Sequence, residues 1–165
     1  MYRTAILRSL LLAFGLLLAA CSPDDSNATD AEEAVETPAG EACEHMTEGP
    51  HTDVVASVDP AMAPDATAAH TGVRVKLADV AGGKGGTVTW ASDASGELIL
   101  FTSVQAPVAI ATASGDPVTI KSDEAVSECD IVARAVIFDA TVGTYRITFG
   151  PTTEPTVMIV VEGEE

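Results

Sequence analysis

Residues 143–149 have the sequence GTYRITF, in which Tyr145, Ile147 and Phe149 alternate with polar residues. A period of two places apolar side chains on one face of a β-strand and polar ones on the other. The chain holds eight further apolar or alternating segments, at residues 52–58, 73–77, 87–90, 98–101, 108–110, 118–120, 131–138 and 157–161. Short strands at close spacing predict an all-β fold, a single antiparallel β-sandwich of about eight or nine strands.

The connections between these segments are rich in turn residues. Gly82–Gly86 has the sequence GGKGG, which predicts a flexible connection between two strands. Between residues 60 and 70 the chain is rich in alanine, but Pro60 and Pro64 limit any helix there to a single turn. The sequence therefore predicts no long helix in the folded domain.

The last two predicted strands, residues 143–149 and 157–161, resemble the closing hairpin of immunoglobulin-like and cupredoxin-like sandwiches. This resemblance concerns the fold and implies no function. An antibody-type domain would have a short Cys-to-Trp spacing, whereas Trp90 lies far beyond Cys43. No histidine follows Cys129. The sequence therefore excludes a blue-copper site of the cupredoxin type, which requires histidine and cysteine ligands.

The N-terminus has the pattern of an export signal. Arg3 and Arg8 precede an apolar run over residues 10–20, broken only by Gly15. A bilayer-spanning helix needs about 20 apolar residues, so this run is too short to remain as an anchor. It ends in Leu18-Ala19-Ala20-Cys21, which closely resembles the lipobox of bacterial lipoproteins.

The lipobox resemblance implies a signal peptide over residues 1–20 and a lipid-modified Cys21. Lipid on this residue would hold the protein at a membrane of the cell envelope, since two or more acyl chains anchor stably. In Gram-negative lipoproteins an aspartate after the lipidated cysteine often marks inner-membrane retention. Ser22 stands there instead, so the outer membrane is expected in a Gram-negative host.

Residues 21–42 form the second predicted segment. After Cys21 they contain seven acidic residues, no basic residue and no aromatic residue. Such a composition buries too little apolar surface to offset the entropy of ordering, so we expect a disordered, extended tether spanning roughly 25 Å. The β-sandwich domain is predicted over residues 43–163, where the composition changes.

The chain is strongly acidic. It has 25 acidic and eight basic residues, for a formal net charge of −17. This charge argues against binding nucleic acid, whose phosphates would be repelled. It favours a cationic partner, or a solvated acidic surface with no specific partner.

Two cysteines remain beside Cys21. Disulfides persist in exported compartments, so a bond between Cys43 and Cys129 is the expected arrangement. We place Cys43 where the tether meets the first strand and Cys129 at the start of the strand predicted over 131–138. The alternative is a pair of free thiols that could serve as metal ligands.

The three histidines all precede the first well-defined strand. His45, His51 and His70 could converge at one end of a sandwich, where imidazoles would suit copper or zinc. The spacing matches no metal motif. In the alternative interpretation His45 packs near the disulfide, and His51 and His70 lie on surface loops.

No catalytic motif is present in the sequence, and we assign no catalytic residue. The opening Cys43-Glu44-His45-Met46 also resembles that of other bacterial lipoproteins, which carries no function over. The sequence favours a lipid-anchored, non-enzymatic binding or interaction module of the cell envelope, with an envelope protein as partner. The alternative is a metal-binding accessory protein that uses the region of His45, His51 and His70.

Overall fold

A computed structural model describes residues 37–68 and 71–163. The predicted signal peptide, Cys21, residues 22–36 of the tether and His70 lie outside the described residues. The described part contains one α-helix, a 3-10 turn at Pro60–Met62 and ten strands. Their bounds are α1 Pro38–Glu48, β1 His51–Val55, β2 Gly72–Lys76, β3 Ala78–Val80, β4 Gly83–Ser92, β5 Gly96–Thr102, β6 Val108–Thr112, β7 Ile120–Ala125, β8 Arg134–Ala140, β9 Gly143–Thr152 and β10 Thr156–Gly163.

The strands form two sheets. The six-stranded sheet has the order β1-β2-β10-β5-β8-β7, and the four-stranded sheet has the order β3-β4-β9-β6. One core cluster takes side chains from both sheets, including Phe138 from the larger and Ile147 and Phe149 from the smaller. The alternation over 143–149 therefore buries its apolar face against the opposite sheet. The predicted fold class is confirmed in that the described part is mostly β, although it also contains the 11-residue helix α1. The arrangement is consistent with a β-sandwich.

The prediction of a purely antiparallel sandwich with eight or nine strands is wrong in two respects. β1 pairs with β2 in parallel, so the six-stranded sheet is mixed. The described residues contain ten strands, one more than the nine predicted segments. The additional strand is the short β3, which the sequence analysis did not recognise. Between β1 and β2, Ser57 bridges to Thr87 and Asp65 bridges to Thr89, both in the other sheet. β2 then starts at the same end of the six-stranded sheet as β1, with Gly72 opposite His51.

In the glycine-rich stretch at 82–86, Gly82 lies in the turn between β3 and β4, whereas residues 83–86 are part of a strand and not of a flexible connection. β4 begins at Gly83, and a Cβ there would lie 2.4 Å from the carbonyl oxygen of Thr152. At Gly85 a Cβ would lie 2.6 Å from the carbonyl oxygen of Phe149. These glycines therefore let two backbones approach closely, a role that composition alone does not separate from a turn.

Arg134, the one charged residue in the apolar segment predicted over 131–138, is a buried cation at the start of β8. Its Nε donates to Asp123 Oδ1 at 2.6 Å and its second terminal nitrogen donates to Asp123 Oδ2 at 2.5 Å. The remaining terminal nitrogen donates to the carbonyl oxygen of Ala106. These contacts tie β7, β8 and the segment before β6 together, with the charge of Arg134 neutralised by a bidentate carboxylate.

We expect Asp123→Asn to destabilise the protein in a pH-dependent manner. Hydrogen bonds from Arg134 hold the pKa of Asp123 below its usual value. A depressed pKa contributes stability above the ordinary carboxyl pKa, and this stability is lost as the pH falls through the folded-state value. Because the Asp123 side chain is 47% exposed, we expect a loss of only about 1 to 2 kcal/mol at pH 7.

Urea unfolding of both proteins from pH 7 down to pH 2 measures this effect. The difference between wild type and Asp123→Asn should shrink as the pH falls, because the wild-type carboxylate is then protonated. Asp93→Asn is the matched control, since Asp93 is exposed and has no ion pair among the described residues. A loss in Asp123→Asn that stays constant with pH would contradict the ion-pair explanation.

Candidate interaction surface on the outer face of the six-stranded sheet

Helix α1 lies across the outer face of the six-stranded sheet, chiefly over β10, with further contacts to β2 and β5. The helix starts where Thr37 Oγ1 accepts a hydrogen bond from the Gly40 amide at 3.0 Å. Pro38 occupies its first turn, where a missing N–H costs nothing. The helix therefore begins five residues before residue 43, the predicted start of the domain.

The helix and the outer face of the sheet share a second core. Ala42 and Met46 lie one helical turn apart on α1 and are 0% and 1% exposed. They pack in one cluster with Phe101 of β5 and Val160 of β10. Both faces of β5 are thus covered at this end, as the continuous apolar run at 98–101 predicts.

The Cys43–Cys129 disulfide is present, with the two Cα atoms 6.2 Å apart. Its surroundings differ from the prediction. Cys43 lies in the middle of α1, not where a tether meets a strand. Cys129 lies in a loop, because β8 begins only at Arg134. The bond joins α1 to the loop over residues 126–133, which also contributes to the second core.

Two of the three histidines lie near the C-terminal end of α1. Nε2 of His45 lies 3.7 Å from a carboxylate oxygen of Glu162, on β10. Nε2 of His51 is 3.0 Å from the carbonyl oxygen of Met46 and must carry the proton of this hydrogen bond, since the carbonyl can only accept. Both histidines approach Gly72: a Cβ there would lie 2.8 Å from the His45 carbonyl oxygen and 3.0 Å from His51 Cδ2.

The metal hypothesis gains nothing from this arrangement. In residues 37–68 and 71–163 no three histidine, cysteine, aspartate or glutamate side chains form a group that could hold a metal ion. Both cysteines of the domain are in the disulfide and are not free thiolate ligands. A nitrogen that donates a hydrogen bond, as His51 Nε2 does, cannot bind a metal at the same time. His70 lies outside the described residues, so a copper or zinc site that includes it stays a prediction.

Beside the helix start, the outer face of the sheet forms a groove of about 240 Å³. Two rows of cross-strand neighbours make its floor. Ile99 of β5 lies opposite Ile137 of β8, and Phe101 lies opposite Ala135. The walls are the first residues of α1 and the end of β7 with the loop after it. They comprise Thr37, Pro38, Ala39, Glu124, Ala125, Val126 and Glu128.

The rim of the groove is acidic. Glu124 and Glu128 are exposed, and neither has a basic partner within ion-pair distance among the described residues. We call the apolar floor with these two carboxylates the acidic groove. The sequence analysis did not predict the acidic groove. The available signal was that Ile99 and Ile137 lie in continuous apolar runs, which place large apolar side chains on both faces of the sheet.

Next to the acidic groove, the following cross-strand pair on the same face is charged. Glu97 lies opposite Asp139, and Lys121 donates a hydrogen bond to each, at 3.1 Å to Asp139 Oδ1. The hydrogen bonds to Glu97 and Asp139 hold the pKa of Lys121 above its ordinary value. The ammonium group is thus shared between two carboxylates, so the three side chains together have a net charge of −1.

Comparison of the sequence with protein-family models and with curated proteins gives no match. No helix in the described part of the chain combines the length and apolar character that crossing a bilayer requires.

Proposed function

We propose that this protein is a lipid-anchored, non-enzymatic interaction module of the bacterial cell envelope. In this proposal lipid on Cys21 holds the chain at the membrane, the acidic segment that follows acts as a spacer, and the two-sheet domain contacts a partner. The outer membrane is the expected location in a Gram-negative host, because Ser22 follows the lipidated cysteine.

The anchor rests on the N-terminal sequence. A charged start, a short apolar run and the lipobox-like Leu18-Ala19-Ala20-Cys21 follow one another in the order and spacing of a lipoprotein signal. The Cys43–Cys129 disulfide supports export independently, because such bonds persist outside the reducing cytosol.

The acidic groove is the observation that carries the interaction role. α1 lies chiefly over β10 and also contacts β2 and β5. The part of the outer face beside the helix is not fully covered, so Ile99 and Ile137 stay half-buried. Partly exposed apolar side chains that line a concavity with a polar rim are typical of sites where another molecule packs. The groove adjoins Thr37, the residue that starts α1 and that belongs to the segment predicted as a tether.

We expect Cys21→Ala to abolish lipid attachment. The full chain is expressed in a Gram-negative host fed an alkyne-bearing fatty acid, and the label is detected on the purified protein. Wild type should be labelled and should fractionate with membranes, because two or more acyl chains anchor stably. Cys129→Ala is the matched control, since it also removes one cysteine but should keep the label. Label that persists in Cys21→Ala would contradict the proposed anchor.

A further inference from the structure

We propose that the acidic groove binds an extended peptide segment that carries apolar side chains flanked by lysine or arginine. This inference rests on the proposed interaction role and names the chemistry of the partner. It draws on three properties of the groove: its apolar floor, its small volume and the charge of its surroundings.

The floor selects for apolar side chains. Ile99 and Ile137 are direct cross-strand neighbours, and both stay half-buried although Phe101 and Ala135 beside them are buried under α1 and the following loop. An apolar side chain placed on the two isoleucines would remove their remaining surface from water, which is favourable in proportion to the area covered.

The volume favours a peptide segment over a whole small-molecule ligand. At about 240 Å³ the groove is smaller than the pockets of roughly 300 to 1,000 Å³ that bury drug-sized ligands. It has room for a few side chains. β7 is the edge strand of the sheet beside it, so an extended chain can enter from the open side.

Charge decides what flanks the apolar side chains. Within residues 37–68 and 71–163, the carboxylates of Glu124 and Glu128 line the groove, and those of Glu97 and Asp139 lie next to it and share the ammonium group of Lys121. The whole chain has a formal net charge of −17. Local and long-range fields therefore both attract a cationic segment and repel an acidic peptide or an anionic lipid surface.

The test uses residues 22–165, without the predicted signal peptide and without Cys21, produced in an oxidising compartment so that the disulfide forms and no lipid is attached. The probe is a dye-labelled peptide of alternating leucine and lysine, six residues long, and binding is followed by fluorescence anisotropy at low and physiological salt. We expect saturable binding that weakens with salt, since exposed charges are screened. Glu124→Lys/Glu128→Lys and Ile137→Thr should each weaken binding at least tenfold.

The matched control is Glu154→Lys/Asp93→Lys, which makes the same charge change at two exposed positions that do not line the groove. It should bind like wild type at physiological salt. Thermal melts followed by circular dichroism verify that every variant is folded. Equal weakening by the two double variants would overturn the proposal, because the attraction would then be non-specific.

Two other results would also overturn the proposal: no saturable binding of the leucine-lysine peptide, or equally tight binding of a leucine-glutamate peptide. Neither result touches the proposed anchor, because the chain in this experiment carries no lipid. Conversely, failure of lipid labelling at Cys21 would leave the binding result standing. The proposed anchor and the proposed peptide specificity of the groove therefore fail separately.

Discussion

Replacing both cysteines of the Cys43–Cys129 disulfide by alanine is expected to lower the free energy of unfolding by about 4 to 5 kcal/mol. The bond joins residues 86 positions apart, so it removes a large share of the conformational freedom of the unfolded chain. In the folded protein it also holds α1 against the loop at 126–133. Its loss should therefore loosen the packing of α1 on the second core.

Urea unfolding of wild type with and without a thiol reductant, compared with Cys43→Ala/Cys129→Ala, measures this effect. Reduced wild type and the double variant should have similar midpoints, both well below that of the oxidised protein. The double variant should not respond to reductant, which separates loss of the bond from other effects of the reagent. A loss below about 1 kcal/mol would contradict the expectation, since a loop of this length is predicted to contribute several times more.

The Phe101→Ala substitution is expected to destabilise the protein by about 3 to 5 kcal/mol, the usual cost of removing a buried aromatic ring. The ring is 2% exposed and packs with Met46 of α1 and Val160 of β10. Removing it leaves a cavity beneath the helix. Relative to wild type, hydrogen exchange of the α1 amides should therefore speed up more than that of the amides of β9, which belongs to the other sheet.

Denaturant unfolding and native-state hydrogen exchange test these two statements. Val55→Ala serves as the control, because Val55 is 63% exposed and surface substitutions change stability by less than about 0.5 kcal/mol. If Phe101→Ala were no more destabilising than Val55→Ala, the second core would contribute little to stability. Unchanged exchange in α1 would show that the helix does not depend on Phe101 for its attachment.

Several features of the fold could be predicted from the sequence because their signals are local. The alternation of Tyr145, Ile147 and Phe149 assigns a half-buried strand wherever the strand lies in the fold. The disulfide was predicted because only Cys43 and Cys129 remain after Cys21 is assigned to lipid. Pro60 and Pro64 predict that no long helix forms between residues 60 and 70, and the described residues 60–68 contain a 3-10 turn at Pro60–Met62.

Helix α1 was not predicted, although its sequence contains local helix signals, because the composition of the segment favoured disorder. Thr37-Pro38 is a helix-start signal, and Ala42 and Met46 have the spacing of one helical face. The composition of residues 22–42, acidic and without a basic or aromatic residue, favoured a disordered tether instead. An 11-residue helix is marginal by itself in water, so packing on Phe101 and Val160 determines whether it forms.

From the sequence alone came the acidic character of the chain and the predictions of a β-rich fold and a Cys43–Cys129 bond, both of which the structure has, while the export signal stays a prediction. Tertiary structure alone decided that β1 runs parallel to β2, that Gly83 and Gly85 serve close backbone contact, and that Ile99 and Ile137 meet in a groove beside the helix. The physical reason is the range of the interactions. Periodicity, charge and turn chemistry are properties of neighbours in the chain, whereas strand order and the uncovered part of a sheet depend on contacts between residues far apart in sequence.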